Sequence, residues 1–299
     1  MSSLFSLPLI LGAGGRLGRQ VETTLSRLYP ATIAATRAEI DITDYFRMRE
    51  ELERLEPTLV INCAAASGVD LCERQPDLAR RVNAEGPANT ARACREVGAR
   101  FIHVSTDQVF DGRKRSPYEE DDAPSPICEY GASKLEGERG VLKELPEAVV
   151  VRTSWLFGPG GGDFVEHVLK EARTRHRLSG VTDQVASPTY IPDLTQALVL
   201  LAESSVRGLI HFVNAGECNR FEFACQVAEV AGLEGEFERV PVRWEDLGLP
   251  ASRPPYSALS TARYRSISSH EPRDWKVALA EQLAVTRPDR GVNGRQAQE

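Results

Sequence analysis

Two side chains able to exchange protons, Tyr130 and Lys134, stand four residues apart in Glu129-Tyr130-Gly131-Ala132-Ser133-Lys134-Leu135-Glu136-Gly137-Glu138. Good helix formers follow Lys134 and a Gly/Pro-rich approach precedes it, so the segment reads as the start of a helix. Residues at that spacing share one helix face. A free phenol ionises near a pH of about 10, and an ammonium held beside it favours the phenolate and lowers that value. A phenol so tuned can give a proton to a developing alkoxide near neutral pH. Many helices carry Tyr-x-x-x-Lys by chance. The pair becomes informative beside a cofactor site and a third polar group, and both have candidates here.

The third group is Thr106. It follows the apolar run 99–104 in Ser105-Thr106-Asp107-Gln108-Val109-Phe110-Asp111-Gly112, at the carboxyl end of a strand where open α/β sheets bind ligands. The cofactor site is the run Leu7–Leu11 followed by Gly12-Ala13-Gly14-Gly15-Arg16-Leu17-Gly18 and a helical stripe of Val21, Leu25 and Leu28. Strand, glycine loop and helix in that order let backbone approach a pyrophosphate, with unpaired N–H groups at the helix start. Gly12, Gly15, Arg16, Leu17 and Gly18 are therefore candidate cofactor contacts. The next strand, 32–36, ends in Arg37 where an NAD enzyme usually has an acidic residue, and with Arg16 this favours the 2′-phosphate of NADPH. NADH stays open. Asp41 and Ile42 are expected at the edge of the adenine pocket. A buried strand from Thr58 runs into the small residues Cys63, Ala64 and Ala65, which would let a cofactor lie close to the sheet.

The alternation of strands and helices predicts an α/β fold with a doubly wound, parallel, Rossmann-type sheet and a second, smaller α/β substrate lobe. Residues 1–155 form the expected dinucleotide-binding domain, with a return segment near 183–213. Residues 156–182 and 214–299 form the expected substrate lobe, entered through Gly158-Pro159-Gly160-Gly161-Gly162. Helices are predicted over 48–56, 76–97, 163–174, 192–202 and 274–283, and Asn219-x-x-Glu222 resembles a capping box. The polar residues after Pro288 read as a frayed tail.

Asp and Glu (43) exceed Lys and Arg (36), and the net charge of −7 argues against nucleic-acid binding. No apolar run is long enough for a membrane span, and the first residues lack the basic start of a signal peptide. Six scattered cysteines without Cys-x-x-Cys spacing read as reduced thiols of a cytoplasmic protein, and the five histidines show no metal-ligand spacing.

The glycine loop, Ser105-Thr106-Asp107-x-Val109-Phe110-Asp111-Gly112 and Tyr130-x-x-x-Lys134 together resemble an extended short-chain dehydrogenase/reductase, and more closely the dTDP-4-dehydrorhamnose reductase family. Val60-Ile61-Asn62, Val69-Asp70, Val82-Asn83-Ala84-Glu85, Arg152-Thr153-Ser154-Trp155, Asp183-Gln184, Ser187-Pro188-Thr189 and Arg253-Pro254 extend the likeness over about 7–285. The resemblance implies reduction of a dTDP-4-keto-6-deoxy sugar, with dTDP-L-rhamnose as product. It implies Tyr130 as proton donor, Lys134 as its tuner and a ribose ligand, and Thr106 as the group that orients the carbonyl. Val69, Asp107, Gln108, Trp155 and Arg253 are its implied sugar-nucleotide contacts, Trp155 by stacking and Arg253 by pairing with the diphosphate. It leaves a homodimer open and no metal is expected.

The family usually has Tyr where this chain has Gln108, and an aromatic residue or His where it has Ala66. Both positions should line the sugar pocket, so another 4-keto sugar fits the pattern. Dehydratases of similar fold place a carboxylic acid at the position of Gln108, and an amide cannot replace it. Two rivals remain: an epimerase or epimerase-reductase holding NAD, and a non-catalytic subunit like the methionine adenosyltransferase beta subunit.

Overall fold

The computed structural model describes residues 4–233 and 237–286, so the tail after Pro288 lies outside the described residues. Strands β1 (Pro8–Leu11), β2 (Ile33–Ala35), β3 (Leu59–Asn62), β4 (Arg100–Thr106) and β5 (Val149–Thr153) join the Gly208–His211 strand in one sheet. All pairings are parallel, in the order Gly208–His211, β5, β4, β3, β1, β2. β1, β3 and β5 are buried throughout because helices cover both faces. The winding reverses at β1, which lies between β2 and β3, so a crevice opens past the carboxyl ends of β1 and β3. The predicted doubly wound parallel sheet is what forms.

Four aromatic residues nucleate a second cluster. Phe223 is fully buried, with Phe157, Phe164 and Trp275 in ring contact at 5.4, 5.4 and 5.1 Å. The helices Phe164–Arg175, Arg220–Ala231 and Trp275–Thr286 supply this cluster, beside a parallel pair formed by Arg177–Val181 and Glu238–Val242. The capping box predicted from Asn219 forms, with Glu222 N–H donating to Asn219 Oδ1 at 2.8 Å and Asn219 N–H to Glu222 Oε2 at 2.9 Å.

Two helices differ from the pattern-based expectation. The predicted helix at 48–56 begins at Tyr45, because Asp44 caps Arg47 N–H at 3.2 Å. The predicted single helix at 76–97 is interrupted by a π turn over Arg81–Glu85 between Pro76–Arg80 and Gly86–Val97. The turn rotates Asn83 inward, where Oδ1 accepts from Ala66 N–H at 2.8 Å and Nδ2 donates to Ala66 O at 3.0 Å and Ser133 Oγ at 3.1 Å. One buried amide thus ties the loop after β3 to the helix carrying Tyr130 and Lys134. Such single-turn insertions often occur at functional sites.

That helix, Glu129–Glu144, starts with Cys128 Sγ accepting from Gly131 N–H at 3.4 Å. A side chain at Gly137 would collide with the carbonyl of Asn83, so the glycine permits this close approach. One turn past Lys134, Glu138 accepts from Arg152 Nε at 2.9 Å and Nη2 at 2.7 Å, and from Ser105 Oγ at 2.5 Å. Both charged partners are at most 2% exposed. Removing one member of such a pair strands a buried charge at a cost of about 3–5 kcal/mol. Glu138→Ala should lower stability by about that amount, measured from the denaturant midpoint and slope; a loss under about 1 kcal/mol would show that the contact anchors nothing.

Candidate active site

The catalytic candidates converge at the carboxyl ends of the strands. Thr106 terminates β4, Tyr130 and Lys134 come from the helix beside it, and Gly15, Arg16, Leu17 and Gly18 open the helix after β1. All seven line one cavity of about 410 Å³, with Cys63, Ala65, Val69, Asp107, Gln108 and Trp155. A second cavity of about 300 Å³ is lined by Gly12, Arg37, Asp41, Ile42 and Ala64, and it shares Gly15, Cys63 and Ala65 with the first. The two spaces meet over the glycine loop, as an extended dinucleotide would require. Gly12 has φ +78°, and a Cβ there would sit 2.5 Å from Ala64 N, so this glycine is fixed by the backbone. Gly15 has an ordinary φ of −80°, and its nearest obstacle is Gly12 O at 3.4 Å. It lines both cavities. No side chain caps the Arg16–Leu28 helix, whose first N–H groups can receive an anion. These features fit a nucleotide diphosphate.

Arg16 and Arg37 do not converge on one phosphate. Arg37 lies at the second cavity, largely exposed and paired with Asp41 at 3.2 Å. Arg16 lines the first cavity, donating from Nη2 to Leu156 O at 3.2 Å, with Nη1 3.8 Å from the Asp163 carboxylate. Of the two, Arg37 stands beside Asp41 and Ile42.

Burial sets the proton chemistry. Tyr130 has its pKa raised by desolvation, with the neighbouring Thr106 hydroxyl working in the opposite direction. Lys134 is 1% exposed, and burial lowers its pKa to about 8, opposed by Glu138 and Cys63. Its side-chain nitrogen donates to Val104 O at 2.7 Å and lies 3.3 Å from His103 Nε2. In this arrangement desolvation outweighs any phenolate stabilisation by the neighbouring amine, contrary to the expectation from spacing. Tyr130 is therefore a neutral acid holding its proton through neutral pH. The Cys63 thiol is pushed up to about 12 and is inert.

Asp107 is buried and accepts from Thr106 Oγ1 at 3.0 Å, Ser154 Oγ at 3.1 Å and Ser257 Oγ at 2.5 Å. With both oxygens engaged, it fits a group that orients Thr106 better than one that meets substrate hydroxyls. Arg253 lines neither cavity. It pairs with Asp70 at 3.2 Å, donates to Ala251 O at 3.0 Å and lies over Trp244 at 4.8 Å. The cavity contains another cation, Arg220, which the sequence reading missed. Its guanidinium stacks 3.7 Å over Trp155, and burial lowers its pKa to about 10. Among the described residues no carboxylate lies within ion-pair distance of it. The capping box at Asn219 was the signal: it ends the preceding strand and begins a helix at the cavity wall. Trp155 has φ +41°, a strained conformation for a bulky residue and common at ligand sites.

The chain matches the family model described as RmlD substrate binding domain over residues 8–287. The chain belongs to this family. It is 41% identical over 293 residues to the dTDP-4-dehydrorhamnose reductase of Mycobacterium tuberculosis, covering 96% of this chain and 95% of that one. The spore coat polysaccharide biosynthesis protein SpsK of Bacillus subtilis is 39% identical over 277 residues, with 92% and 96% covered. A crystal structure of dTDP-4-dehydrorhamnose reductase from Bacillus anthracis in complex with NADP superposes with a TM-score of 0.90 at 35% identity, covering 94% of this chain and 99% of that one. The family resemblance read from the sequence is thereby borne out.

The two loop glycines should respond differently to the same methyl group. Gly12→Ala should lower stability by about 1–3 kcal/mol through strain, whereas Gly15→Ala should stay within about 0.5 kcal/mol. Denaturant unfolding of both variants checks this; equal losses would contradict the loop geometry.

Proposed function

We propose that this chain reduces the 4-keto group of a dTDP-4-keto-6-deoxy sugar with NADPH, dTDP-4-dehydro-L-rhamnose giving dTDP-L-rhamnose. The observation that carries the reading is the single cavity in which Thr106, Tyr130 and Lys134 face the glycine loop. The M. tuberculosis relative bears the name of that reductase and the B. anthracis structure contains NADP. NADPH, when bound, supplies the hydride that goes to the ketone carbon. Tyr130, neutral at working pH, gives its proton to the ketone oxygen. Thr106 orients that oxygen by turning its one hydroxyl proton from Asp107 to the ketone. Lys134 bonds the nicotinamide ribose, and Arg37 favours the 2′-phosphate. The protein contributes alignment and a ready acid.

Residues 1–155 with the return segment 183–213 hold the cofactor, and 156–182 with the chain from 214 onward hold the sugar nucleotide. Supporting this division, the return segment supplies the outermost strand and Arg220 reaches the cavity from the other lobe. Arg220 faces the substrate diphosphate, because Asp70 already neutralises Arg253. Val69, Gln108 and Trp155 border the sugar and base. Gln108 offers an amide where dehydration needs an acid, which supports reduction. All six cysteines are free thiols, in keeping with the cytoplasm. No helix among the described residues is long and apolar enough to cross a membrane, and none of them forms a metal-binding cluster.

Loss of reduced-nicotinamide absorbance with dTDP-4-dehydro-L-rhamnose tests the reading. Tyr130→Phe should lower kcat by about 10²–10⁴-fold and leave NADPH binding intact; an active variant would refute the assignment. Arg220→Gln should raise KM for the sugar nucleotide by about tenfold, with KM for NADPH unchanged. An unchanged sugar-nucleotide KM would remove Arg220 from the diphosphate site.

A further inference from the structure

The mechanism leaves unused a buried chain of polar groups behind Lys134. Asn62, at the end of β3, and His103, its register partner on β4, are both 0% exposed. Asn62 Oδ1 accepts from the backbone N–H of Ala64 at 2.9 Å. A backbone N–H can only donate, so this bond fixes the amide and points Nδ2 at His103 Nδ1, 3.2 Å away. That ring nitrogen must then present its lone pair. Burial and Lys134 hold the His103 pKa well below the usual value, so the ring is neutral. A neutral imidazole carries one proton, and here it can only be on Nε2, which faces Lys134 Nζ at 3.3 Å.

An ammonium has no lone pair, so two donors would oppose each other across that gap. An amine fits: it accepts from His103 and still donates to Val104 O. The other ionisable groups around Lys134 do not reverse this. The Cys63 thiol on β3 is neutral, Glu138 is occupied by Arg152 and Ser105, Tyr130 is a neutral phenol, and Asp107 lies beyond Tyr130 bound to three hydroxyls.

We infer that His103 is a positioning residue: its tautomer, fixed through Asn62 by the Ala64 backbone, turns an N–H toward Lys134 Nζ and opposes the ammonium form. The inference deepens the reductase reading and rests on it for its kinetic consequence. Reduction leaves Tyr130 as a phenolate that an ammonium stabilises, so kcat/KM should fall as pH rises through the Lys134 ionisation. Asn62→Asp replaces the donor facing His103 with an acceptor. The ring proton then moves to Nδ1, Nε2 becomes an acceptor, and the ammonium gains a hydrogen bond. The alkaline limb should move up by about one pH unit or more.

The added carboxylate would also attract the ammonium directly, so Asn62→Asp/His103→Leu separates the causes. It should lose most of the shift if the tautomer carries it, and a shift that persists in full would overturn the inference. The tautomer itself is read by ¹⁵N NMR of histidine-labelled wild-type protein, with the His103 signals identified by their absence in His103→Leu. Nε2–H and a bare Nδ1 are expected from about pH 6 to 9; Nδ1–H or an imidazolium would overturn the inference. This measurement needs no turnover, so failure of the reductase reading and failure of the tautomer argument give different results.

Discussion

The active geometry depends on one buried ion pair, Glu138 with Arg152, which locks the Tyr130–Lys134 helix onto β4 and β5. Buried pairs contribute little net stability, since desolvation offsets their attraction. What this one supplies is a fixed register. A bidentate guanidinium and a serine hydroxyl converge on one carboxylate, so the helix can neither rotate nor slide without stranding a charge. The Asn83 amide adds a second fixed point from the π turn. With the helix fixed, Lys134 lies against Val104 and His103, and Tyr130 is placed beside Thr106.

The same economy of polar groups joins segments far apart in the chain. Asp107 accepts from Ser257, Asp70 pairs with Arg253, and Arg16 reaches Leu156 O. Each contact uses a residue that its sequence context marked as functional. Charges at the cleft are thus divided between closing it and facing its interior. Arg253 belongs to the first group and Arg220 to the second.

Much of the site was legible because backbone constraints write themselves into residue type. The glycine loop, the small residues after β3 and the Thr106–Asp107 strand end all lie where the pattern placed them. Side-chain direction was not legible. The motifs marked Arg253 and passed over Arg220, and only the fold shows that the first meets Asp70 while the second stacks on Trp155. The helix pattern over 76–97 concealed the π turn because periodicity cannot register one extra residue. Spacing alone put Lys134 beside Tyr130, but the balance of desolvation against charge depends on what surrounds both. His103 reads as one more core residue of an apolar strand.

Ketone reduction requires a hydride and a proton to meet one carbonyl in the cavity beside Tyr130. Turnover of dTDP-4-dehydro-L-rhamnose with NADPH deuterated at both C4 positions of the nicotinamide, followed by NMR of the sugar product, tests this most directly. Deuterium at sugar C4, with one NADPH consumed per product, is the predicted result. A product without deuterium at that carbon, or one formed with no NADPH consumed, would contradict it.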